Sequence, residues 1–108
     1  MMFIQYDEYE LLELFESEPI LIAEKEAGMF IYSLSNALGF KLVMSLSVYE
    51  NQCNVSLSYV DDIIFDIQLS NVKSMKSDGK QIRINRKENK IDVIIGFKPN
   101  FSLRIDNI

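Results

Sequence analysis

The chain is 108 residues long, 48% apolar, and carries 16 acidic against 11 basic residues for a net charge of −5. That length holds one hydrophobic core, so a single domain over residues 1–108 is expected, and the apolar fraction excludes general disorder. The charge is unevenly spread: residues 1–66 hold 12 Asp/Glu against two lysines, whereas residues 67–108 hold nine Lys/Arg against four acids. Such a one-sided field bears on partners rather than on fold.

Residues 7–18 read as a short helix. Asp7 and Glu10 form a D-x-x-E variant of the capping box, with Tyr6 and Leu11 placed as a hydrophobic staple. At 100° per residue, Leu11, Leu12, Leu14 and Phe15 share the core-facing side, and Tyr9, Glu10, Glu13 and Glu16 share the other. Pro19 should stop the helix near residue 18. Two apolar runs, 20–24 and 29–35, follow with a hairpin-sized gap between them.

Residues 40–49 and 53–60 alternate strictly, with Phe40, Leu42, Met44, Leu46 and Val48 on one face and Cys53, Val55, Leu57 and Tyr59 on the matching face. An even-length turn is needed to bring these faces together. A two-residue turn at Asn51-Gln52 would set Leu46 opposite Leu57, Ser45 opposite Ser58 and Ser47 opposite Ser56. Ile63, Phe65, Ile67 and Leu69 mark the next strand, and a change of parity before Val72 predicts a bulge or break near Ser70-Asn71. Asp78-Gly79 is a hairpin signal. The strands 81–85 and 90–97, joined by a polar loop, would then set Arg83 across from Asp92. Lys98-Pro99-Asn100 turns the chain into a last strand in which Phe101, Leu103 and Ile105 meet Phe97, Ile95 and Val93. The expected fold is α+β: a short N-terminal helix packed on an antiparallel β-meander of about six to eight strands, forming a curved sheet or half-open barrel.

The residue inventory excludes several chemistries. There is no His, so imidazole triads and His-bearing zinc sites are impossible. The single cysteine, Cys53, forms no internal disulfide and is expected inward as a small hydrophobe. The serines at 45, 47, 56 and 58 lack a base and an S-x-x-K motif, which makes them a smooth outer sheet face. No apolar run approaches the roughly 20 residues that cross a bilayer, and the first ten residues lack the basic start of a secretion signal. No cofactor and a cytoplasmic location are expected.

Glu10, Glu13 and Glu16 repeat three apart with no interleaved Lys or Arg, and Glu16 and Glu18 fall where the helix macrodipole disfavours anions. A helix face that breaks two local rules is either a solvated surface or a docking patch for Lys/Arg, with Tyr9 at its centre. Asp61, Asp62 and Asp66 read as a polar turn in preference to an Mg²⁺ or Ca²⁺ site, since their spacing matches no calcium loop. The basic residues between Lys73 and Lys90 lack interleaved aromatics, which favours edge-strand protection over nucleic-acid binding.

In its size, its lack of catalytic residues, its acid-rich start (residues 7–26) and its β-rich remainder, the chain resembles the small acidic immunity proteins of bacterial contact-dependent inhibition toxins. The resemblance implies a cytoplasmic, non-catalytic inhibitor that binds one cognate toxin, often a basic nuclease. Tyr9, Glu10, Glu13, Glu16, Glu18, Asp61 and Asp62 are then the expected partner-binding residues, with no catalytic or metal residues and no direct contact with nucleic acid or membrane. The alternative is a structural or homo-oligomeric β module that assembles through contacts between its acidic and basic ends. A carboxylate-only enzyme is the weakest of the three.

Overall fold

The computed structural model of the protein describes residues 3–87 and 92–106; the polar loop expected before Asp92, and the strand start expected at Lys90, fall partly outside the described residues. Helix α1, Glu8–Phe15, begins where Asp7 takes an extended backbone and its Oδ1 accepts from the Tyr9 N–H at 2.8 Å. The reciprocal half of the capping box is replaced by a longer reach. The Glu10 carboxylate instead accepts from the Ser77 N–H at 3.0 Å, 67 residues along the chain. The helix also ends earlier than Pro19 alone would require. Glu16 turns left-handed (φ 59°) and its N–H donates to the Leu12 carbonyl at 2.8 Å, closing the last turn. Leu11, Leu14 and Phe15 are buried, as the helical spacing predicts, whereas Leu12, expected on the same side, is only half-buried.

Among the described residues nine strands follow, in two antiparallel meanders. Strands β1 (Ile20–Leu21), β2 (Met29–Ser35), β3 (Phe40–Ser47), β4 (Gln52–Tyr59) and β5 (Asp62–Leu69) form a five-stranded sheet in chain order. Strands β6 (Val72–Ser77), β7 (Gln81–Arg86), β8 (Asp92–Gly96) and β9 (Ser102–Asp106) form a four-stranded sheet, also in chain order. The α+β class and the meander are as expected. The parity change at Ser70-Asn71 is the seam between two sheets rather than a bulge within one. Asn71 is left-handed there (φ 58°), and Asn51 holds the crossing: its Nδ2 donates to the Val72 carbonyl and its carbonyl accepts from the Val72 N–H, each at 2.9 Å.

Three registers differ from expectation in instructive ways. The β3–β4 turn spans residues 48–51, so Leu46 faces Cys53 and Leu42 faces Leu57, while Ser45 faces Asn54 and Ser47 faces Gln52. Parity is preserved, so the buried face is the predicted one except at Tyr59, which ends the strand 45% exposed. The turn is longer because Ser47 Oγ donates to Glu50 Oε1 (2.8 Å) and Asn51 is recruited to the sheet seam. At the β6–β7 hairpin the two-residue loop is Gly79-Lys80: Asp78 N–H donates to the Gln81 carbonyl, and Gly79 supplies the positive φ (91°) of the first loop position. Arg83 lies opposite Ile94 rather than Asp92, yet its Nη1 reaches Asp92 Oδ2 diagonally at 3.2 Å. The β8–β9 pairs Val93–Ile105 and Ile95–Leu103 match the reading.

The first apolar run is the clearest miss. Only two of its residues pair as a strand; the chain then bends into a 3-10 turn, Lys25–Ala27, and Ile20, Leu21 and Ile22 remain exposed. On β5, a register shift opposite Leu57-Ser58 turns Ile63 outward, 69% exposed, although Phe65, Ile67 and Leu69 point in as predicted. Both sheets contribute to one apolar cluster, with Leu42, Met44, Leu46, Val55 and Leu57 from the first and Met75, Ile82, Ile84, Val93 and Ile95 from the second. Phe15 spans the two: its ring lies 5.2 Å from Tyr32 on β2 and 5.0 Å, edge-on, from Phe97 after β8. The helix is therefore placed by both sheets, and its polar side looks outward.

Candidate functional site: a tyrosine-lined cleft beside the acidic helix

Between the outer side of α1 and the Met29 end of β2 lies an open cleft of about 560 Å³. Its helix side is built from Tyr6, Tyr9 and Leu12, and its floor from Phe30, Tyr32 and Val48. Tyr49 closes the far side. Gly28 allows it to do so: a Cβ there would sit 3.0 Å from the Tyr49 ring, and the backbone is left-handed (φ 68°). Phe3 packs edge-on against Tyr49 at 4.8 Å and fixes that ring. The carboxylates of Glu8 and Glu18 and the amine of Lys25 complete the lining.

The lining of the cleft is net negative, and its floor is buried or half-buried. Burial, followed by the fields of Tyr6, Glu8 and Glu18, pushes the Tyr32 hydroxyl well above the ordinary tyrosine range. Burial, then Glu8 and Tyr49, moves Tyr6 the same way. Both therefore stay neutral phenols. Neither Glu8 nor Glu18 pairs with Lys25 or any other cation among the described residues.

Of the residues expected to bind a partner, Tyr9 (73% exposed), Glu13, Glu16 and Glu18 lie on or beside the open side of the helix. Glu10 is half-buried and engaged with Ser77, and Glu13 approaches the Gly79 turn. Asp61 and Asp62 are exposed but stand elsewhere, at the β4–β5 turn, where Val60 (φ 46°) and Asp61 (φ 72°) are both left-handed. Val60 N–H donates to the Gly39 carbonyl at one end of β2–β3, whereas Val48 N–H donates to the Gly28 carbonyl at the cleft end. The seven residues of β2 separate the two places by about 20 Å. Beside Asp61 and Asp62 the side chains of Val60 and Ile63 are exposed, as is Leu38 on the β2–β3 turn, and the Tyr59 ring lies tilted 4.8 Å from Phe40. Asp66 sits opposite Ser56 while Asp62 sits opposite Tyr59, and among the described residues no three acidic side chains gather closely enough to hold a metal ion.

Glu8, Tyr32 and Tyr49 were not legible as site residues. They belong to a helix start, a strand centre and a turn, and only the packing of α1 against β2 brings them together. The five tyrosines in a chain without Trp were the one compositional sign of a polar-aromatic surface.

The fold is that of a small α+β protein with an open, tyrosine-lined cleft on its helix side. No protein-family model matches the chain, and no curated protein matches it in sequence. Its fold is similar to that of a chain in the contact-dependent growth inhibition toxin–immunity protein complex from Klebsiella pneumoniae 342, with a TM-score of 0.82 over 100% of both chains and 22% sequence identity. The described residues contain no helix long and apolar enough to cross a membrane.

Proposed function

We propose that this protein is a non-catalytic immunity protein that binds and neutralises a cognate toxin. The observation that carries the reading is the end-to-end coincidence of its fold with a chain of a toxin–immunity complex. Of the two roles in that complex, the inhibitor suits a chain that has no His and a net charge of −5. The toxin is a basic protein, in the simplest case a nuclease whose phosphate-binding Lys/Arg cluster is occupied by carboxylates in place of phosphate. Tyr9, Glu13, Glu16 and Glu18 form the main docking patch. Glu10 supports it from beneath, and Asp61 and Asp62, with the apolar side chains around them, form a second contact. The work is done in the cytoplasm, without a cofactor. Co-expression with the product of the neighbouring gene tests the reading: growth restored by this chain supports it, and undiminished toxicity together with no complex at low or high salt removes it.

A second reading has its own support. The negative charge lies on α1 and the first sheet and the positive charge on the second, which favours head-to-tail assembly of copies. Light scattering across a salt series decides: particles that grow at low salt and dissolve at high salt support assembly, and a monomer throughout rejects it.

A further inference from the structure

The floor of the cleft holds a hydroxyl that the fold itself does not use. Tyr32 is 4% exposed as a whole residue and lines the cleft, and its hydroxyl, which has no hydrogen-bond partner among the described residues, reaches the open space of the cleft. A phenol whose ring is held in the core while its oxygen opens onto a cleft is free to take a partner from outside the fold. Two carboxylates, Glu8 and Glu18, line the same space without a cation, and Lys25 offsets only one of them, which leaves the lining at −1. The remaining surface is aromatic: Tyr6, Tyr9 and Tyr49 present ring surface to an open volume of about 560 Å³.

Stacking faces, a phenol oxygen open at the base and unpaired carboxylates are together the requirements of one chemical group. A guanidinium is planar, is weakly hydrated, stacks on aromatic faces and presents five N–H donors in a fixed fork. An ammonium is a point charge that fills less of this space and gives up more hydration. We infer that the cleft between α1 and β2 receives an arginine side chain of the cognate partner protein, which stacks between Tyr9 and Tyr49 and donates to Tyr32 and to Glu8 or Glu18. For the source of that arginine the inference rests on the immunity reading. Tyr32 is positioned for the contact by Phe15 behind it, so the anchor is preorganised rather than assembled on binding.

The test begins with the isolated chain. Nα-acetyl-arginine amide is titrated into it by NMR, beside the citrulline analogue, which has nearly the same shape without the charge. Saturating shifts at the amides of Gly28, Tyr32 and Val48 with arginine, and roughly tenfold weaker binding of citrulline, are expected. Glu18→Gln and Tyr32→Phe should each weaken the arginine response severalfold, whereas Asp66→Asn, which removes the same charge at the other edge of the sheet, should not. Tyr32→Phe should also leave the melting temperature unchanged or higher, because it deletes a hydroxyl with no partner. Equal responses to arginine and citrulline, or no saturation, overturn the inference. The two readings fail separately. If arginine saturates the cleft but no toxin binds the protein, the immunity reading falls and the cleft stands. If the toxin binds Tyr32→Phe and Glu18→Gln as tightly as the parent, the cleft inference falls and the immunity reading stands.

Discussion

Individual side chains here divide into those the fold consumes and those it leaves to solvent, and charge alone does not separate them. Glu10 looks like part of an acidic face, yet its carboxylate accepts from Ser77 on β6. Glu10→Ala should therefore destabilise the protein by about 1 kcal/mol in urea titrations, whereas Glu10→Gln, which keeps an acceptor, should cost less than half of that. Cys53 is consumed entirely: burial pushes its thiol up to about 12. The native protein should resist iodoacetamide at pH 8 and react promptly in denaturant; rapid native labelling would contradict its placement. The sign of the pH effect follows. The unfolded thiol ionises near 9 and the folded one near 12, so this contribution to stability is fully present below pH 9 and is lost as the pH rises towards 12. Gly28 is the opposite case, a residue without a side chain that shapes a site. Gly28→Ala should cost about 1 kcal/mol or more through its left-handed backbone, and it should shift the Tyr49 ring signals.

At the scale of elements, α1 shows how local rules are kept and where they yield. The Asp7 cap is standard, and Asp7→Ala should lower stability by about 1 kcal/mol. Glu16 sits in the left-handed position that glycine prefers, so Glu16→Gly should raise stability by about 0.5–1 kcal/mol, while it removes a carboxylate from the proposed docking patch. Stability and partner affinity moving in opposite directions in that one variant would mark Glu16 as retained for binding. The buried faces of α1, β3, β4 and β8 were largely readable, because periodicity reports burial directly and an even-numbered slip preserves parity; β9 pairs as read, yet Leu103 and Ile105 stay exposed. What escaped was set by distant partners. Asn51 lengthened the β3–β4 turn because it holds Val72, Glu10 left its capping role for Ser77, and β1 shortened to two residues. None of these partners lies within one turn or hairpin of its residue. The acidic helix face was legible as a feature; the cleft beside it was not, since Tyr32 and Tyr49 read as ordinary strand and turn residues.

For the molecule as a whole, the charge division along the chain becomes a division between sheets. The seam at Asn71 falls close to the point where acidic sequence gives way to basic, so α1 and the first sheet carry the negative field and the second sheet the positive one. Phe15 ties the layers together, and the open aromatic cleft beside α1, with Glu8 and Glu18 unpaired, lies on the side of the first sheet. Such a field speeds the approach of a basic partner and weakens as salt screens it over a Debye length of about 10 Å at 0.1 M. The most direct measurement is stopped-flow association of the purified protein with the product of its neighbouring gene as ionic strength rises. The account predicts nanomolar affinity, with an association rate that falls at least about tenfold between 0.05 and 0.5 M salt and falls less steeply in Glu18→Gln. Absence of binding at every salt concentration, or an association rate indifferent to salt, would contradict it.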